Sequence, residues 1–174
     1  YQELPELYSD ISKSSAVSAY TLRFLILTAG RTGEVVGARW NEFSDDTWVL
    51  AASRMKARRE HRVPLSTEAR KMLMVQNEAA SGDYVFHRNG RCLSNMAMLQ
   101  FLKRISPNAT VHGFRSSFRV WAAEVSGFSS DLAEQALAHS VGSQLERAYQ
   151  RSDLLEQRRG LMEEWAQYIL ESLD

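Results

Sequence analysis

Hydrophobic residues recur with the period of an α-helix along most of this chain, and a clear example lies near its start. Between Ser14 and Ala29, the residues Leu22, Leu25 and Ile26 lie at i, i+3 and i+4, and Ala29 follows at i+7. That spacing places apolar side chains on one face of a helix. The pattern therefore predicts a helix with one buried face, which ends at the glycine that follows.

Further segments are predicted to be helical from similar patterns and from residues that cap helix ends. Ser66 or Thr67 can cap one of them, and Asp153 and Glu156 have the spacing of a capping box at the start of another. The predicted segments are 33–37, 66–80, 94–105, 112–125, 129–138, 142–150 and 153–172. Helices are therefore expected to dominate the fold.

The pattern changes between positions 38 and 65, where short runs of strand-forming residues predict a small antiparallel sheet. We expect strands over Trp40–Phe43, Thr47–Leu50 and His61–Val63, with a turn after the first and a proline ending the third. The predicted fold class is mainly α with a small three-stranded antiparallel sheet (α+β), in one domain over 1–174.

Composition narrows the class of protein. The chain has 174 residues, 44% of them hydrophobic, and no apolar run approaches the ~20 residues of a membrane span. Its one cysteine allows no intrachain disulfide, so we expect a reducing, cytosolic setting. Net charge is zero, which argues mildly against a nucleic-acid partner, but a cluster of cations at 54–62 allows a local basic surface.

The predicted helix 112–125 carries the first candidate chemistry. Its aromatic residues and Val125 form a stripe that we expect to face the core. His112, Arg115 and Arg119 fall on another side, which we expect to point away from the core. Arginine offers a planar fork to phosphate oxygens, and histidine offers a mobile proton, so the pair suits an anion. A solvated helix face is the alternative interpretation.

Three other positions suit phosphate chemistry. Arg31 follows a helix end beside Glu34, which could orient it, and Lys56 is the only lysine in the basic loop before the third strand. A lysine beside a leaving oxygen can donate a proton, whereas an arginine cannot near neutral pH. Tyr149 follows His139 by ten positions, and its phenol would need neighbouring cations or a base to act as a nucleophile.

Other chemistries lack their residues in this sequence. The histidines and Cys92 show none of the close paired spacings of a zinc site, and no Walker loop, G-x-S-x-G elbow or paired-aspartate motif is present. The pattern Gly30-x-x-Gly33 is similar to the GxxG clamp of KH domains, but it is short.

Taken in order, the motifs resemble those in the catalytic domain of tyrosine recombinases, particularly integrases of temperate phages and genomic islands. The matching stretches are Thr28-Ala29-Gly30-Arg31-Thr32-Gly33-Glu34, Met55-Lys56-Ala57-Arg58-Arg59-Glu60-His61-Arg62-Val63-Pro64-Leu65-Ser66, His112-Gly113-Phe114-Arg115, Leu137-Ala138-His139-Ser140 and Glu146-Arg147-Ala148-Tyr149-Gln150-Arg151. The likeness covers nearly the whole chain and every catalytic position of that family.

The resemblance implies metal-independent DNA cleavage and rejoining, with no cofactor. Tyr149 would attack the scissile phosphate to form a 3′-phosphotyrosine and free a 5′-hydroxyl. Arg31 and Arg115 would hold the non-bridging oxygens, and Lys56 would protonate the leaving oxygen.

The remaining roles follow from the same resemblance. His112 would assist proton transfer, His139 would hydrogen-bond the phosphate, and Glu34 would support the site. The arginines expected to contact the DNA backbone are Arg54, Arg58, Arg59, Arg62 and Arg119.

The resemblance also implies partners and a setting. The substrate would be double-stranded DNA at attachment sites, bound by a homotetramer in the synaptic complex, in the bacterial cytoplasm on the chromosome and away from any membrane. DNA-binding domains would precede this catalytic domain in the parent protein. The C-terminal segment could close its own domain or dock on a neighbouring subunit. The alternatives are type IB topoisomerase-like relaxation, a catalytically silent DNA-binding module and, more distantly, a GxxG RNA binder.

Overall fold

A nearly fully buried helix, α2 (Val17–Thr28), runs through the protein, as a computed structural model of residues 1–78, 82–139 and 153–171 describes it. Eight of its twelve residues are buried, including Phe24 and Leu27 on the face opposite the predicted stripe. A helix that is apolar on all sides belongs in the interior. The sequence predicted the helix but only one of its buried faces, and the other elements pack around it.

Seven other helices lie in the described ranges. The predicted segment 142–150 falls outside them, and α1 was not predicted. The helices are α1 (Leu4–Ser12), α3 (Thr32–Val36), α4 (Thr67–Glu78), α5 (Ala97–Ile105), α6 (Gly113–Glu124), α7 (Ser130–Ala136) and α8 (Leu155–Leu170). None of the helices in these ranges combines the length and apolar character that crossing a bilayer requires.

The three-stranded antiparallel sheet is confirmed, with the order β1-β2-β3. Its strands are β1 (Phe43–Ser44), β2 (Thr47–Leu50) and β3 (His61–Pro64), and Trp48 pairs with both Phe43 and Val63.

The first predicted strand is shorter than expected, because Trp40–Glu42 forms a 3-10 turn. The Glu42 carboxylate causes this by accepting hydrogen bonds from the Arg39 amide at 3.1 Å and the Trp48 indole at 3.1 Å.

A second hairpin was missed by the sequence analysis. Strands β4 (His87–Arg88) and β5 (Arg91–Cys92) pair across Asn89-Gly90, whose φ angles are 52° and 74°. Positive φ at both central residues is the type I′ geometry that an Asn-Gly pair favours. The Asn-Gly dipeptide therefore indicates this hairpin in the sequence.

The predicted orientation of α6 is right for its aromatic residues and wrong at two other positions. Phe118 and Trp121 are buried and pack on Trp165 of α8 with ring centroids 5.4 and 5.0 Å apart. Val125 is 53% exposed, because the helix ends one residue before it. Arg115 is buried rather than turned to solvent, because other helix ends cover that side.

Helix α8 packs into the core of its own domain. Leu161, Trp165 and Ile169 are fully buried, and the Trp165 indole donates to the Ile26 carbonyl of α2 at 2.8 Å. Of the two alternatives for the C-terminal segment, closure of its own core holds for Leu155–Leu170.

The N-cap residue of α8 is Leu154 rather than the predicted Asp153. The Asp153 carboxylate binds Arg62 of β3 through two contacts of 2.7 Å and Arg158 at 3.1 Å. Leu154 has a left-handed backbone, at φ 50°.

Candidate active site

Two helix ends create the candidate site. Helices α2 and α7 both end in a Schellman motif, with Ala29 and Ala138 in the left-handed region at φ 47° and 51°. In each motif, the amide of the left-handed residue and the amide of the next residue donate hydrogen bonds to carbonyls of the last helical turn. The carbonyls of Ala29 and Leu137 remain directed outward, at the negative ends of their helix dipoles.

Arg115 of α6 joins these two helix ends. Its Nη1 donates to the Ala29 carbonyl, and its Nη2 donates to the Leu137 carbonyl at 2.7 Å. Burial and the nearby Arg31 lower the pKa of Arg115 to about 10, against the opposing effect of two carboxylates. The group therefore stays cationic at neutral pH. Its hydrogen bonds to protein oxygen go to neutral carbonyls, so its charge is available to an anion.

Arg31 approaches the same point from the start of α3. Its Nη1 lies 2.9 Å from Glu34 Oε1, and its amide donates to Glu34 Oε2 at 3.0 Å. Its Nη2 donates to the Leu137 carbonyl at 3.3 Å. Glu34 is buried and thus orients Arg31, as the sequence suggested it could.

His139 lies just past the end of α7, beside Arg115. Its Nε2 is 3.4 Å from Arg115 Nη2, and its Nδ1 is 2.6 Å from Glu134 Oε2. The other oxygen of Glu134 binds Arg119. Four of the predicted residues (Arg31, Glu34, Arg115 and His139) therefore form one connected cluster.

Lys56 is exposed in the loop before β3, and among the described residues it has no hydrogen-bond or ion-pair partner. The loop starts next to the cluster because Arg54, two residues earlier, donates to the Glu34 carbonyl at 2.7 Å and binds the Glu42 carboxylate. Arg54 therefore anchors the loop, and the lysine side chain extends from it.

His112 precedes α6 as its N-cap residue and is exposed. Its carbonyl accepts the Arg115 amide at 3.2 Å, which places it about one helical turn from the buried arginine. Tyr149, the predicted nucleophile, lies outside the described residues.

The predicted DNA-contacting arginines fall into two groups. Arg58 and Arg59 are exposed, and the described part of the chain offers their side chains no hydrogen-bond or ion-pair partner. The other three contact carboxylates: Arg54 pairs with Glu42, Arg62 with Asp153 and Arg119 with Glu134.

Two residues near the cluster were missed from sequence. Glu134 precedes His139 by five positions and meets it only because the chain reverses at Ala138. Half-buried His61 begins β3, and its pKa is lowered to about 4 by burial and by Arg158, while a backbone hydrogen bond at Ala136 and the charge of Glu34 oppose this. No local sequence pattern indicates that Glu134 contacts His139 or that His61 lies near Glu34. These contacts form only in the folded chain.

The cluster is suited to binding an anion with two non-bridging oxygens. Arg31 and Arg115 point guanidinium groups at one position from two elements, and Arg115 has no carboxylate partner in the described ranges. Within 1–78, 82–139 and 153–171, no group of three or more His, Cys, Asp or Glu side chains could hold a metal ion.

A protein-family model and several known proteins are similar in sequence to this chain. The model of the Phage integrase family matches residues 1–155. Prophage integrase IntZ of Escherichia coli (strain K12) is 38% identical over 176 residues, covering 96% of this chain and 43% of that protein. Prophage integrase IntA of the same organism is 33% identical over 177 residues, with the same coverage of 96% and 43%. The chain thus spans less than half the length of these relatives.

Two solved structures share the fold. A lambda integrase tetramer bound to a Holliday junction superposes with a TM-score of 0.61 at 15% identity, covering 87% of this chain and 47% of that one. A lambda integrase dimer bound to a COC′ core site gives 0.62 at 19% identity, covering 88% and 58%.

Proposed function

Because the chain belongs to the phage integrase family, we propose that it cuts and rejoins duplex DNA in site-specific recombination, integrating or excising a mobile element. The Tyr149 oxygen attacks the scissile phosphorus, a phosphotyrosine bond forms to the 3′ side, and the 5′ oxygen leaves as a hydroxyl. Attack by a 5′-hydroxyl from a partner strand reverses these steps and releases the tyrosine. Each step exchanges one phosphoester bond for another, so rejoining needs no external energy source.

The arginine pair carries this proposal. Arg31 and Arg115 meet at the Leu137 carbonyl, and Arg115 forms no ion pair with a carboxylate of the described ranges. Phosphoryl transfer asks a protein mainly for positioning and for stabilisation of charge on the equatorial oxygens. Two fixed guanidinium groups provide both, because their donors are already ordered before the phosphate arrives.

The other roles follow from where the side chains lie. Lys56 extends from an anchored loop and protonates the leaving 5′ oxygen, a task suited to a lysine. His112, one turn from Arg115, assists proton transfer. His139 bonds to a phosphate oxygen, and Glu34 orients Arg31.

We narrow the predicted DNA-backbone contacts to Arg58 and Arg59. Their loop is exposed and cationic, whereas Arg54, Arg62 and Arg119 are already paired with carboxylates. Loop cations of this kind bind phosphates without reading sequence.

The relatives suggest the biological context. The matched proteins are prophage integrases, and one structural neighbour is a tetramer on a Holliday junction. We propose that this protein acts on attachment sites in a bacterial chromosome, in the cytoplasm, as a homotetramer.

A nicked suicide duplex carrying the element's attachment site tests the chemistry. With the protein in its natural length, the wild type should form a covalent adduct with a DNA 3′ end, including in EDTA. Tyr149→Phe should bind the duplex without forming the adduct, and Tyr84→Phe, a matched control whose hydroxyl contacts Arg39 at 3.1 Å, should retain it. DNA binding by the wild type without any adduct would contradict the proposal and favour a silent binding module.

A second assay separates recombination from topoisomerase-like relaxation. Two duplexes of different length, each with an attachment site, should give exchanged products in which strands from both duplexes are joined. Relaxation of supercoiled DNA without exchanged products would support the alternative.

A further inference from the structure

Glu134 connects two cations of the candidate site. One carboxylate oxygen lies 2.6 Å from His139 Nδ1, and the other binds Arg119 of α6. The His139 amide also donates to the Glu134 carbonyl at 2.9 Å, which fixes the distance between the two residues. The carboxylate is thus held by backbone geometry against the imidazole ring.

The contacts on the two sides of the ring favour one tautomer of neutral His139. Arg115 can only donate, so its contact of 3.4 Å with His139 Nε2 favours an accepting Nε2, and the shorter contact of 2.6 Å between Nδ1 and Glu134 favours the same tautomer more strongly. Nδ1 then carries the proton and donates it to Glu134. In this tautomer Nε2 has no proton, so it cannot donate to a phosphate oxygen. Donation from Nε2 requires a second proton on the ring.

We propose that Glu134 is a positioning residue: it orients His139 through Nδ1–H and stabilises the imidazolium whose Nε2–H donates to the scissile phosphate. The inference rests on the proposed function and deepens it. The second proton comes from solvent when a phosphate oxygen replaces Arg115 Nη2 as the partner of Nε2, and it returns to solvent after DNA release. In this step an N–H bond forms on Nε2 and an O–H bond of the solvent donor breaks, and no other bond changes.

The charges around the ring determine how strongly Glu134 is needed. Arg115 and Arg119 of α6, and Arg31 before α3, disfavour a further positive charge on His139. Glu134 of α7 opposes them from 2.6 Å. Burial raises the pKa of Glu134, but hydrogen bonds from His139 and Arg119 outweigh it and the net pKa is lowered. The carboxylate is therefore ionised at neutral pH, with its charge shared between the histidine and Arg119.

The tautomer of His139 tests the orientation without using DNA. Nitrogen-15 shifts of the histidine rings, assigned with His139→Gln, should show the proton on Nδ1 at a pH where the ring is neutral. Glu134→Gln should keep this tautomer, since its amide oxygen can accept. Glu134→Ala should shift the ring toward the Nε2–H form. An Nε2–H ring in the wild type, or no change in the alanine variant, would overturn the proposal.

The pH profile of adduct formation tests the charge. Glu134→Gln should move the alkaline limb to lower pH by about one unit, slowing single-turnover cleavage about tenfold at pH 8. Arg119→Gln should move the limb to higher pH, because it removes the competing cation. Asp131→Asn, which removes a carboxylate from the first turn of the same helix, is the matched control and should leave both readouts unchanged.

The outcomes separate the inference from the proposed function. An unshifted limb in Glu134→Gln, or the same shift in Asp131→Asn, would overturn the positioning role. Failure of the wild type to form any adduct would instead count against the proposed function, while the tautomer measurement would still decide the orientation.

Discussion

Arg31 and Arg115 share an acceptor: their guanidinium groups donate to the Leu137 carbonyl oxygen at 3.3 and 2.7 Å. Two like charges at one oxygen repel, and that repulsion adds to burial in lowering the pKa of Arg115. The helix end compensates part of the charge, and an anion between the two groups would compensate the rest.

Arg115→Lys should therefore be damaging although it keeps the charge. An ammonium cannot bridge the Ala29 and Leu137 carbonyls as the planar fork does. We expect unfolding in urea to show a loss of about 1–3 kcal/mol, and adduct formation to fall about 100-fold. Arg104→Lys, at an exposed position on α5, should change neither quantity. Equal stability of the Arg115 variant and the wild type would refute the bridging role.

Under the proposed function, Lys56→Ala should slow cleavage of ordinary DNA severely, because it removes the proton donor proposed for the leaving 5′ oxygen. A duplex with sulfur at the 5′ bridging position has a leaving group that needs little protonation, so it should largely restore the rate. Arg58→Ala, two residues along the same loop, should show no such selective rescue. Adduct yields from matched oxygen and sulfur duplexes provide the measurement, and no rescue would remove Lys56 from the acid role.

The loop arginines and Arg62 should respond differently to salt. Arg58→Ala or Arg59→Ala should lower the slope of log binding constant against log salt by ~1 per lost phosphate contact. Arg62→Ala should leave the slope unchanged and instead reduce stability, since its partner Asp153 also holds buried Arg158 at the start of α8. Binding titrations at several salt concentrations, with urea melts, separate the two. A reduced slope for Arg62→Ala would show that it does contact DNA.

His61 should make the fold sensitive to mild acid. Its folded pKa of about 4 lies below the unfolded value of 6.5, so the unfolded chain binds the proton first. Its contribution is fully present above pH 6.5 and is lost as pH falls toward 4, by up to about 3 kcal/mol. In urea melts over this range, His61→Gln should lose stability less steeply than the wild type. Parallel curves would show that His61 does not titrate in this way.

Ala138→Gly should stabilise the protein by about 0.5 kcal/mol, since φ is 51° there and glycine adopts this region without a Cβ clash. Ala133→Gly, inside the same helix and buried, should do the opposite and cost about 1 kcal/mol or more. Thermal unfolding of the two variants shows whether each change in stability has the expected sign. A destabilised Ala138→Gly would mean that packing of the Ala138 methyl group outweighs the cost of its positive φ.

Much of the fold could be predicted because its signals are local. Most helices of the described ranges and the β1-β2-β3 sheet follow from periodicity and turn residues, and errors of a few residues occur at helix ends, as at Val125. Strand β1 is shorter than predicted because the Glu42 carboxylate binds the side chains of Trp48 and Arg54. That contact has no counterpart in local pattern, so no propensity could indicate it.

By itself, the sequence determined the residue types of the candidate site, the order of its motifs and the helices that carry them, because these depend on side-chain chemistry and on spacing along the chain. The tertiary structure decided which charges meet. It buried Arg115 between two helix ends, gave Arg62 and Arg119 carboxylate partners and brought Glu134 to His139. Helical periodicity specifies the side of a helix but not its neighbour, so ion pairing is settled only when the elements pack.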